Sequence, residues 1–96
     1  MNLSPLSGMQ AANLLLTTTA DNAANMNTAD YRAEHVDLAT SPTGGVTAGV
    51  SRADQPGVDL AEQMTNLSVA RAVYTANARM LRSSLENERT LLDIFA

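Results

Sequence analysis

The chain has 96 residues, three aromatics (Tyr31, Tyr74 and Phe95), no cysteine and a formal net charge of −4. That length holds one small domain at most, with few large side chains for its core. The acidic balance, with no lysine and no cation before Arg32, argues against nucleic acid and an anionic membrane surface as partners, both of which need clustered cations. Without a thiol there is no disulfide framework, thiolate metal site or cysteine nucleophile.

Residues 4–27 read as a helix. Ser4 is suited to cap it and Pro5 to fill its first position, where the missing N–H costs nothing. Leu6, Met9, Asn13, Leu16, Ala20, Ala23 and Asn27 recur by three and four, which places them on one stripe. Leu14 and Leu15 widen it, and small residues at 20, 23 and 24 admit a close neighbour. The run Asn25-Met26-Asn27-Thr28-Ala29-Asp30 ends the helix, because asparagine and aspartate favour caps and turns.

Residues 31–57 lack a helical period. Val46, Ala48 and Val50 alternate with Thr47, Gly49 and Ser51 as in a short strand, and Tyr31 to Leu38 is its candidate partner. Ser41-Pro42-Thr43-Gly44-Gly45 supplies the turn between them. Two strands alone are marginal in water, so this hairpin needs a neighbour or is mobile.

Residues 59–95 read as one long helix, about 55 Å at 1.5 Å per residue. Asp59 and Glu62 have capping-box spacing. A stripe runs Leu60, Met64, Leu67, Arg71, Tyr74, Ala78, Leu81, Leu85, Glu88, Leu92 and Phe95, every step three or four. That is a coiled-coil seam with Arg71 and Glu88 as polar interruptions, either solvated or setting register. The first helix is shorter by more than ten residues, so part of the seam must bury against another chain.

Chemical motifs are sparse. His35 is the only histidine and reads as a solvated or turn-packing residue rather than a ligand or base. Gly44-Gly45 lacks the lysine of a phosphate loop, and Asn66-Leu67-Ser68, a glycosylation triplet by spelling, sits inside a predicted helix. The carboxylates are dispersed and read as a solvated face. No cofactor, metal site or catalytic residue is expected, and the chain does not read as an enzyme. No apolar run approaches the roughly 20 residues of a membrane span. No secretory signal is recognisable before Arg32, so any export is expected without signal cleavage.

Both ends carry a recognisable pattern. Leu6-Ser7-Gly8-Met9-Gln10-Ala11 and Ala20-Asp21-Asn22-Ala23-Ala24-Asn25-Met26-Asn27-Thr28-Ala29-Asp30-Tyr31 resemble the N-terminal helix of the bacterial flagellar rod and hook axial proteins. The latter segment departs from the family pattern at Asp21, Ala23 and Asp30. Asp30 replaces a family glycine, so a positive φ there must be carried by aspartate. Val58-Asp59-Leu60-Ala61, Asn66, Ala70, Tyr74 and Ala76-Asn77-Ala78-Arg79 resemble the C-terminal pattern of the same family, with its glutamate displaced to Glu62. The middle segment is far shorter than the β-rich domain many members carry.

The resemblance implies a mainly α fold: a two-helix antiparallel coiled-coil hairpin with a long C-terminal helix and a weak β-hairpin or flexible middle segment. Its divisions would be an N-terminal axial helix (1–30), a linker (31–57) and a C-terminal axial helix (58–96). It implies a structural subunit of the flagellar rod or hook, exported through the flagellar apparatus into the basal body. Its partners would be itself and other axial proteins, with no nucleic acid and no membrane insertion. The assembly interface would be the two stripes: Leu6, Met9, Leu16, Leu60, Met64, Leu67, Tyr74, Leu81, Leu85, Leu92 and Phe95. The short middle leaves a second reading open, a small helical adaptor or chaperone that binds axial proteins.

Overall fold

In the computed structural model, which describes residues 4–95, two helices and a two-stranded antiparallel sheet follow one another along the chain. Helix α1 spans Ser4–Ala24, strand β1 Glu34–Thr40, strand β2 Val46–Arg52 and helix α2 Leu60–Phe95. The molecule is elongated, 63 × 24 × 14 Å, because α2 alone is about 54 Å long.

Pro5 lies in the first turn of α1, which ends three residues before the expected Asn27. Asn25 closes it early: its amide N–H and its side-chain Nδ2 both donate to the Asp21 carbonyl, at 3.1 and 2.9 Å. Such local bonding is why asparagine ends helices. Asp30 then turns the chain with φ at 61°, the left-handed conformation required of it in place of glycine.

The strands pair from Glu34↔Arg52 to Thr40↔Val46. Strand β1 therefore starts later than Tyr31; Arg32 instead forms a single bridge with Gly57. The ladder closes at its tip with Ser41 N–H on the Gly45 carbonyl at 3.0 Å. Gly44 and Gly45, at φ of 98° and 82°, make that turn. Asp59 caps α2 through Oδ1, which accepts from the amides of Ala61 at 3.0 Å and Glu62 at 3.4 Å. The Glu62 carboxylate lies 3.7 Å from His35 Nδ1 on β1.

The helices run antiparallel: Asn22 bonds Gln63, and Gly8 abuts Asn77. Their contact face is small and polar. The buried residues of α1 are Pro5, Gly8, Ala11, Ala12, Thr18, Thr19 and Asn22, shared between α2 and the hairpin; those of α2 are Gln63 and Ala70. A Cβ at Gly8 would stand 2.6 Å from Asn77 Cγ, so glycine sets the approach of the helices there.

This corrects the pairing expected of a coiled-coil hairpin, in which the apolar stripes meet each other along α1. Most of the buried positions lie one residue away from the stripes. Gln63 takes the inward place of Met64 on α2, and Pro5 and Gly8 take those of Leu6 and Met9 on α1. One residue is about 100° of rotation on a helix, enough to turn a stripe from the contact to its flank. Small residues win the contact because they let the two backbones approach, and the glycine and alanines of α1 offer that approach.

The hairpin leans on α1. In the antiparallel ladder the backbone groups of Glu34 and Val46 point away from the partner strand and need other partners. Ser7 Oγ accepts from Val46 N–H at 3.0 Å and donates to the Ser4 carbonyl at 2.7 Å. Asn22 serves Glu34 at the other end of α1, so α1 supplies the neighbour that two strands require.

Candidate functional site

Two arrangements stand out: a buried polar junction at Asn22 and an exposed apolar face along α2. Asn22 is 1% exposed. Its Nδ2 donates to the Glu34 carbonyl at 2.8 Å and to Gln63 Oε1 at 3.0 Å. Its Oδ1 accepts from Glu34 N–H at 2.8 Å and from the Tyr31 hydroxyl at 3.3 Å. The side-chain amide thus acts as a neighbouring strand for Glu34 while tying α1 to α2, and its hydrogen-bonding capacity is filled. Beside it, Arg52 donates to the Arg32 carbonyl and to Glu34 Oε1, both at 3.0 Å, and lies 5.6 Å from the Tyr31 ring centroid. This junction is structural: its groups are engaged with other parts of the fold.

The expected interface residues lie mostly outside the fold's interior. Leu6, Leu16, Leu60, Met64, Leu67, Tyr74, Leu85, Leu92 and Phe95 are exposed, and Met9 and Leu81 are half-buried. The structure brings three of them together. Leu16 from α1 and Leu67 and Tyr74 from α2 line an open groove of about 330 Å³, floored by Ala12 and Ala70 and edged by Arg71. Leu92 and Phe95, with Leu91 and Glu88, form a separate apolar surface at the far end of α2. Leu6, Leu60, Met64 and Leu85 join neither.

The register that sets Asn22 on Gln63 and Gly8 beside Asn77 brings Ser4 level with Leu81. About 20 Å of α2 therefore extends past Ser4. Exposure rises along it, to 71% at Leu92 and 85% at Phe95. Charge is segmented along the same helix: Arg71, Arg79 and Arg82 lie in residues 63–85 with no carboxylate, whereas residues 86–95 hold Glu86, Glu88 and Asp93 against Arg89.

Sequence reasoning singles out the leucine stripes and misses the junction. Asn22 enters only through the resemblance, and Gln63 has no role in it. The available signal is their polarity at positions flanked by small residues on helices, where a buried amide needs partners.

Among the described residues there is no group of three or more His, Cys, Asp or Glu placed to hold a metal ion, and no helix long and apolar enough to cross a membrane. An elongated helical pair with its apolar side chains turned outward presents the kind of surface that marks an interaction site. The particular class is given by the C-terminal part: residues 52–94 match the C-terminal region of the flagellar basal body rod FlgEFG proteins. This match supports membership of the flagellar rod and hook family, and with it a structural role and a place in the flagellar basal body. No curated protein matches the chain.

Proposed function

We propose that the chain is an axial subunit of the flagellar rod or hook, assembling through its helices with copies of itself and with other axial proteins, and reaching its place through the flagellar export apparatus. The observation that carries this reading is the outward apolar face of α2, from Leu60 through Leu67 and Tyr74 to Leu92 and Phe95. A chain that worked alone would have little reason to leave these side chains in water, since burying each contributes roughly 1.5–3 kcal/mol. The α1–α2 pair would act as a helical strut whose outer stripes meet neighbouring subunits.

The test is incorporation in cells that lack the wild-type copy. Leu85→Asp should leave the protein made at its normal level but absent from purified basal bodies, with motility lost, because the charge falls on an interface repeated in every copy. Arg89→Glu, off the stripe, should incorporate and swim. Wild-type chain absent from basal bodies, yet co-purifying with soluble axial proteins, would replace this reading with the adaptor or chaperone.

A further inference from the structure

Resting on the axial reading, we propose that the C-terminal end of α2 in one copy seats in the Leu16–Leu67–Tyr74 groove of a second copy, joining subunits head to tail. Three features fit the two surfaces to each other. The groove extends over positions 67–75 of α2, about 12 Å, and the exposed apolar end over 88–95, about 11 Å. The groove is edged by Arg71, which makes no ion pair among the described residues, while the apolar end is edged by Glu88. Each surface is apolar where the other is, so the pairing buries Leu92 and Phe95, the most exposed large apolar residues among those described.

The two surfaces differ and lie at different heights on the same chain. A contact between them is heterologous: each copy uses its end on one neighbour and its groove on another, and growth is open unless the rotation closes a ring. A symmetric contact, end to end or groove to groove, would stop at two copies.

That difference gives the test. Leu67→Asp spoils the groove and Leu92→Asp spoils the end, and both positions are exposed, so both proteins should retain wild-type helicity by circular dichroism. In sedimentation, wild-type chain should form species that grow with concentration. Each variant alone should be monomeric, its self-affinity lowered by roughly tenfold or more. Mixed in equal amounts, they should form a complex of two chains and nothing larger, because one sound groove then meets one sound end. Monomers in the mixture, dimers of Leu67→Asp alone, or a wild-type chain that stays monomeric would each overturn the pairing. Basal-body incorporation separates the two ideas: a wild-type chain found in basal bodies, with variants that still pair with themselves, refutes this contact and leaves the axial reading standing. A chain that pairs head to tail in solution but is absent from basal bodies does the reverse.

Discussion

The two faces of α2 obey opposite rules. The face toward α1 carries Gln63, Ala70 and Asn77 and is held by close approach and hydrogen bonds. The flank beside it carries Leu67, Tyr74, Leu85 and Leu92 and meets no described part of the chain closely enough to be buried. Hydrophobic burial is non-directional, whereas a filled amide junction fixes one register. The chain places its specific chemistry inside and leaves its large apolar side chains outside, which suits a subunit whose stability is completed by neighbours.

Three substitutions sharpen that contrast, all read on monomeric protein. The largest effect is expected at Asn22. Asn22→Ala removes one donor group and one acceptor and strands Glu34 N–H, the Glu34 carbonyl and Gln63 Oε1. At about 1–3 kcal/mol for each buried group left unsatisfied, a loss of about 3 kcal/mol or more should appear in denaturant unfolding. Hydrogen exchange at Glu34 should accelerate with it. A wild-type midpoint would mean that the junction decorates the contact rather than fixing it.

A smaller loss is expected at Gly8. Gly8→Ala gains about 1 kcal/mol of helix propensity. Against that, the new methyl meets the Asn77 side chain, which donates to the Val73 carbonyl at 2.8 Å and must shift. Overpacking costs about 1–3 kcal/mol, so the net is a destabilisation of about 1 kcal/mol. In an Asn77→Ala background the sign should reverse. If the two substitutions simply add, the close approach does not limit the helix contact.

The smallest effect has the opposite direction. Thr19 Oγ1 is buried without a hydrogen-bond partner. Thr19→Val keeps the branched shape and removes the stranded hydroxyl, and should raise the unfolding free energy by about 1 kcal/mol. A loss instead would show that the hydroxyl is satisfied in solution.

Much of the local structure is legible because it depends on neighbours in sequence. Asp59 caps α2 as its position before Leu60 indicates, and Asp30 takes the positive φ expected where the family pattern has glycine. The alternation through Val46, Ala48 and Val50 forms a strand, and Ser41 to Gly45 its turn. Glu62 is legible as a capping-box residue and as the displaced glutamate of the family pattern; its nearness to His35 depends on where the hairpin lies.

Sequence by itself determined the two helices, the hairpin and the presence of more apolar surface than one short helix can cover. Periodicity and capping are local, and a long leucine stripe on a helix is visible without any partner. Which face each helix turns inward was decided only by tertiary structure. The choice between stripes about 100° apart depends on how closely two backbones approach. Gly8 against Asn77, and Asn22 against Gln63 and Glu34, set that approach across 69, 41 and 12 residues of sequence. No periodicity spans such separations.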